Sequence, residues 1–113
     1  MENHEKKPIR IAIPTNDGIT IFRGMLGRAK KIYIYVIENG AQVRLVEKRT
    51  NPYSETMQHL KTLDVYELLR DCTIIISGTI GKKGIERLQK RGVKLFFRKG
   101  NIKETLADVI REE

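Results

Sequence analysis

The sequence predicts an α/β domain built on a mixed β-sheet, and three observations carry that reading. A hairpin of β-branched residues occupies the first half; a short run with a continuous apolar centre, Thr73 to Ser77, leads into a glycine-rich turn; and a helix, a strand and a second helix close the chain. A continuous apolar run of that length marks a strand buried on both faces. An antiparallel pair followed by a βαβ unit requires both strand directions in one sheet, and right-handed crossovers put helices on both of its faces.

Taken in order, residues 1–8 form a polar lead of mixed charge and residues 9–113 a single domain, a length that suits one core. Ile9 to Ile13 alternates as a strand that Pro14 ends, and Asn16-Asp17-Gly18 reads as a turn. Ile19 to Phe22 pass briefly through an extended conformation before Gly24 to Ala29, a segment with two glycines around Met25-Leu26 and arginines at both sides. Lys31 to Ile37 is a strand, Glu38-Asn39-Gly40 matches the Asn-Gly hairpin signal, and Gln42 to Arg49 returns with Val43, Leu45 and Glu47 on one face. Thr50 to Ser54 is a loop around Pro52, and the spacing of Leu60, Leu63, Val65, Leu68 and Leu69 predicts a helix to Arg70. The run to Ser77 follows, then a short helix through Ile85 and Leu88 that Gly92 terminates in the left-handed region. Val93 to Arg98 is the last strand, and Asn101 with Glu104 caps a final helix whose buried face is Ile102, Leu106, Val109 and Ile110.

Composition narrows the function. No stretch approaches the roughly 20 apolar residues of a membrane span, the N-terminus lacks a secretory signal, and one cysteine forms no intrachain disulfide, so a cytoplasmic protein is expected. With 22 Lys and Arg against 14 Asp and Glu, the net charge is +8. The excess suits an anionic partner, whether nucleic acid, a phosphorylated metabolite or an anionic metal cluster; it equally suits the charged surface of a heat-adapted protein.

Ser77-Gly78-Thr79-Ile80-Gly81-Lys82-Lys83-Gly84 is the strongest candidate site. A buried strand that opens into a helix there presents unpaired helix N–H groups, an end that binds anions. Lys82 and Lys83 oppose the dipole preference of a first turn, and such local conflicts concentrate at functional sites. The plain alternative is a tight βα connection. The segment matches neither a phosphate-binding GxxxxGK[ST] loop nor GxGxxG. If the Gly24 to Gly27 segment folds toward the same edge, Arg23 and Arg28 reach the same anion. His59 and Met25 are candidate soft-metal ligands, although the clustered Cys and His of a structural metal site are missing, and Cys72 reads as a packed thiol. The first strand has no acid for a metal-dependent nuclease, and no nucleophile–base pair or GxSxG elbow appears.

Ile11-Ala12-Ile13-Pro14, Asp17-Gly18, Gly27-Arg28-Ala29, Glu38-Asn39-Gly40, Leu69-Arg70-Asp71-Cys72, Ser77-Gly78-Thr79-Ile80-Gly81 and Gly92-Val93-Lys94, in that order and spacing, resemble the dinitrogenase iron–molybdenum cofactor biosynthesis family. The resemblance implies a three-layer, ribonuclease H-like fold with a five-stranded mixed sheet and no ribonuclease activity. It also implies a non-catalytic protein that binds or carries an iron–sulfur or molybdenum-containing cluster or its precursor, with a cluster-assembly or client protein as partner. Gly27, Arg28, Ser77, Gly78, Thr79, Gly81, Lys82 and Lys83 would then face the cargo. The family's usual His-Phe before Gly-Arg-Ala is Met25-Leu26 here, so a thioether stands where a cluster-contacting imidazole is common. The rival reading is a small basic nucleic-acid-binding or regulatory module; an enzyme acting on a phosphorylated small molecule is a third, without an acid–base pair to support it.

Overall fold

Strand β1 (Ile9–Thr15) lies at the centre of a five-stranded sheet, and its alternation explains both cores. The structure, a computed structural model, describes residues 9–38, 42–52, 54 and 66–112. The remaining strands are β2 (Lys31–Glu38), β3 (Gln42–Thr50), β4 (Ile74–Ser77) and β5 (Lys94–Phe97), with helices α1 (Lys82–Lys90) and α2 (Ile102–Glu112). The order across the sheet is β3-β2-β1-β4-β5; β1, β2 and β3 pair antiparallel, while β1–β4 and β4–β5 are parallel. This is the mixed sheet expected from the order of elements. The Asn39-Gly40 turn, the lead at 1–8 and most of the helix expected before β4 lie outside the described residues.

Because successive side chains of a strand point to opposite faces, Ala12 lies on one side of β1 and Ile11 and Ile13 on the other. Ala12, Ile32, Ile34 and Ile75 pack with Leu88 of α1 and with Tyr66, Leu69 and Cys72. Ile11, Ile13, Ile74 and Ile76 pack with Ile102, Leu106 and Val109 of α2. The sheet is therefore sandwiched between helices, and the continuous Ile74-Ile75-Ile76 run is apolar because both of its faces are covered. Among the described residues no helix is long and apolar enough to cross a membrane.

Two local expectations are corrected. Pro14 does not end β1; the strand runs on to Thr15, with Pro14 opposite Ile32. The Pro14 carbonyl accepts a hydrogen bond from Phe22 N at 2.9 Å. A residue's N and O leave a strand on the same side, so the nitrogen that lacks a proton faces the following loop, and the β2 ladder loses nothing. Glu47 does not share a face with Val43 and Leu45. The register shifts between Ile34 and Tyr35, so Tyr35 opposes Leu45 while Ile34 opposes Glu47. Val46 is the extra residue of a bulge, and every side chain after it changes face.

The bulge brings Glu47 beside Arg49 and Arg10 on the α1 side of the sheet. Arg49, only 15% exposed, donates from Nη1 and Nη2 to the two Asp71 oxygens at 2.9 and 2.7 Å. Its Nε and Nη2 donate to Glu47 at 3.0 and 2.9 Å, and Nη1 also donates to the Leu68 carbonyl. Arg10 Nη1 stands 3.7 Å from Asp71. One guanidinium thus ties edge strand β3 to the segment that enters β4.

Caps and turns otherwise follow the sequence. Gly92 has φ +81°, and Val93 N reaches back to Leu88 O at 3.0 Å to close α1. Glu104 N donates to Asn101 Oδ1 at 3.0 Å, which caps α2.

Candidate functional site

Strands β1 and β4 are parallel neighbours, yet the chain leaves them in opposite directions, from β1 to β2 and from β4 through α1 to β5. The crevice beyond the carboxyl ends of two such strands is where open α/β sheets bind ligands. Both loops of interest meet there. Met25 forms a parallel bridge with Thr79, Leu26 N donates to Thr79 O at 2.9 Å, and Thr79 Oγ1 donates to the Arg23 carbonyl at 3.5 Å. The Gly24 to Gly27 segment does fold toward the glycine-rich turn, the condition on which Arg23 and Arg28 become relevant to it.

Leu26, Gly27 and Ala29 anchor that loop. Leu26, 1% exposed, enters the α1-side core and starts a single 3-10 turn, Leu26–Arg28. Asn51 is buried and donates from Nδ2 to Gly27 O at 2.9 Å and Ala29 O at 2.8 Å. The side chain from the Thr50–Ser54 loop therefore clamps the Gly27-Arg28-Ala29 backbone, a role its turn propensity in the sequence concealed. Arg23, Met25 and Arg28 remain exposed along the rim.

The turn's glycines serve the protein's own chain. A Cβ on Gly78 would stand 3.1 Å from Phe22 O and 3.4 Å from Arg23 O, so the loop after β1 passes directly over it. On Gly81 it would stand 3.1 Å from Met25 Cε, and on Gly84 2.7 Å from Tyr66 Cζ. Positive φ is found instead at Gly18, Gly92 and Gly100. Close approach within the fold thus accounts for these glycines. Ser77 is fully buried, with its hydroxyl donating to Thr79 O at 3.2 Å.

Among the described residues, nothing caps the opening of α1: Gly81 occupies the N-cap with φ −63° and ψ 153° and makes no side-chain cap, and no acidic residue lies in the first turn. The first helical bond is Ile85 N to Gly81 O at 2.9 Å, which leaves the N–H groups of Lys82, Lys83 and Gly84 directed past the helix end. The helix dipole adds about half a positive charge to those of Lys82 and Lys83, both exposed. On the far side of Arg23 lies an open depression of ≈ 430 Å³ lined by Asn16, Asp17, Thr20, Ile21, Phe22, Arg23 and Gly100. Asp17 there accepts from Thr20 N at 2.8 Å and Ile19 N at 2.9 Å, and these bonds hold its carboxyl down at about 2.

The structure thus brings Gly78, Thr79, Gly81, Lys82, Lys83, Met25 and the Arg23 backbone to one edge, with Gly27 and Arg28 on the adjoining turn. Cys72 lies before β4, at the opposite end of that strand. Burial pushes its thiol up to about 12, and the neighbouring Asp71 carboxylate, 3.6 Å from Sγ, acts in the same direction. Buried at that end, the thiol is not part of the edge where the two loops meet. His59 lies outside the described residues. Among the described residues no three His, Cys, Asp or Glu side chains group as a metal site.

A family model described as dinitrogenase iron-molybdenum cofactor matches residues 7–112. No curated protein matches the chain significantly in sequence. Among solved structures, the apo form of the orange protein from Desulfovibrio gigas superposes with a TM-score of 0.74 at 16% identity, covering 96% of this chain and 92% of that one. A dinitrogenase-like protein from Methanocaldococcus jannaschii gives 0.66 at 12% identity over 96% and 93%. A NifB-like protein from Thermotoga gives 0.64 at 23% identity over 92% and 88%. At these identities the likeness is one of fold.

Proposed function

We propose, from the premise that this chain belongs to the dinitrogenase iron-molybdenum cofactor family, that it binds or carries an anionic metal–sulfur cluster or cofactor precursor and does not catalyse a reaction. The observation that carries the reading is the meeting of two loops at the switch-point edge, where α1 opens without a cap between Met25 and two lysines. A cluster with net negative charge is held there as an anion, by the free N–H groups of α1 and by the cations Lys82, Lys83, Arg23 and Arg28. Met25 supplies a soft thioether contact at the rim. Ionic retention of this kind suits a protein that must hand its cargo to an assembly or client protein. The ribonuclease H-like label for the three-layer fold and a cytoplasmic location belong to the same reading.

Anaerobic purification followed by elemental analysis for iron, molybdenum and copper tests it. Wild-type protein is expected to retain or take up metal–sulfur species, and Lys82→Ala/Lys83→Ala to lose about tenfold in occupancy at limiting cargo, since two charges beside a helix end contribute about 1 kcal/mol or less each. Metal-free wild type that instead binds arbitrary oligonucleotides, with steep salt dependence, would favour the basic nucleic-acid module, to which the +8 charge lends its support.

A further inference from the structure

The cationic side chains fall into two populations. Arg10, Arg44, Arg49, Arg70, Arg98 and Arg111 each meet a carboxylate within 4.0 Å. Lys83, Arg87, Lys90 and Arg91, on α1 and its C-cap, are exposed and pair with no carboxylate among the described residues. Arg23, Arg28, Lys48 and Lys82, among others, are likewise exposed and without a carboxylate within 4.0 Å among the described residues; α1 differs in setting four such cations on successive turns of one helix.

These four side chains share a face. At 3.6 residues per turn, Lys83, Arg87 and Lys90 fall within about 60° of one another around the helix axis, and Arg91 stands beside Arg87, one turn further on. Gly84 and Leu88, the buried positions of α1, lie about 90–130° around the axis from the centre of Lys83, Arg87 and Lys90, so these three face solvent, and exposed Arg91 borders the buried side. It runs about 12 Å along the axis. Like charges at i,i+4 repel and Lys83 opposes the dipole at the N-terminal end, whereas Arg87 and Lys90 in the last turn suit it. An external row of opposite charge would relieve the repulsion within the row.

We infer that the outer face of α1 is a docking surface for the acidic face of a partner protein, in which a line of Asp and Glu side chains meets Lys83, Arg87, Lys90 and Arg91. Two features favour protein over nucleic acid. Glu86 flanks the stripe, exposed and itself without an ion pair among the described residues, and repels phosphates while remaining able to pair with a partner's lysine or arginine. The nine residues of α1 include no aromatic ring on which a base could stack. The stripe begins in the first turn of α1, so a partner seated on it borders the glycine-rich turn. The surface itself does not depend on what that turn carries.

The test titrates poly-L-glutamate into the full chain at about 150 mM salt, where long-range charge is screened beyond about 8 Å, and repeats it with a DNA duplex of about 20 base pairs. Three proteins are compared: wild type, Arg87→Gln/Lys90→Gln/Arg91→Gln, and a control of equal charge, Lys48→Gln/Lys99→Gln/Lys103→Gln. Lys82 and Lys83 are kept throughout, so the cargo reading can fail while this one stands. Poly-L-glutamate affinity is expected to fall about tenfold in the stripe variant and less than about twofold in the control, with thermal unfolding of all three confirming intact folds. Equal losses in both variants would mean that only overall charge is sensed. Tighter binding of the duplex than of poly-L-glutamate, lost in the stripe variant, would make the face a nucleic-acid surface. Either outcome overturns the proposal.

Discussion

Gly84→Ala is expected to lower the unfolding free energy by about 1–3 kcal/mol and the Tm by roughly 4–12 °C, even though alanine is the better helix former by about 1 kcal/mol. The added methyl would meet Tyr66 Oη head-on, with Cζ at 2.7 Å and Ile80 Cγ2 at 3.1 Å. Tyr66 is 5% exposed and belongs to the α1-side core, so its ring has no solvent into which to swing. Either the ring shifts against Leu69 and Leu88, or α1 lifts off the sheet. Urea unfolding of Gly84→Ala, Tyr66→Phe and the double variant measures the coupling: removing the hydroxyl relieves the worst contact, so the two changes together should cost less than their sum. A stabilised Gly84→Ala, the usual result at an exposed helical glycine, would show that the ring does not sit over α1.

The second large effect belongs to Arg49. Its replacement by Ala leaves Glu47 and Asp71 facing each other and the Leu68 carbonyl without its donor. Breaking a fully buried pair costs about 3–5 kcal/mol. The two carboxylates are close to half exposed, so solvent screening reduces the expectation here to about 2 kcal/mol. The pH dependence has a definite sign. The Arg49 guanidinium draws the Asp71 carboxyl down from 3.8 to about 2, and Glu47 is lowered by the same side chain. A depressed carboxylate stabilises the fold above its unfolded pKa, and that contribution disappears as pH falls from about 4 towards 2. The stability difference between wild type and Arg49→Ala is therefore expected to be constant above about pH 5 and to shrink below pH 4, as followed by thermal unfolding across that range. A difference independent of pH would assign the loss to packing of the arginine stem alone.

The strands, α2 and their caps were legible because short-range rules set them. Apolar alternation, the β-branched residues of β2, Gly92 beyond α1 and Asn101 before α2 act within a few residues of themselves. What escaped depends on the third dimension. Pro14 looked like a strand end because a sequence does not say which side of β1 its nitrogen faces. Val46 hid a bulge, since the alternation of β3 reads the same whether one residue is extruded or not, and with it hid the approach of Glu47 to Arg49. The glycine-rich turn joins β4 to α1, and the loop carrying Arg23 and Met25 reaches it. The glycines themselves were open to two meanings, room for a ligand or room for the fold. Phe22, Met25 and Tyr66, distant in sequence, fill that room. Asn51 read as turn chemistry and proved to be the clamp on the Gly27-Arg28-Ala29 backbone.

What remains of the turn as a binding site is its outer surface, the free end of α1 and the cations around it. Titration with tetrathiomolybdate, a small molybdenum–sulfur dianion, under anaerobic conditions tests that claim most directly when followed by its charge-transfer absorption. Wild type is predicted to bind it saturably, Arg23→Ala/Lys82→Ala/Lys83→Ala to bind at least about tenfold more weakly, and the α1 stripe variant Arg87→Gln/Lys90→Gln/Arg91→Gln to bind as wild type does. Wild type that fails to bind, or a triple alanine variant that binds unchanged, would contradict the assignment of this edge to an anionic metal–sulfur cargo.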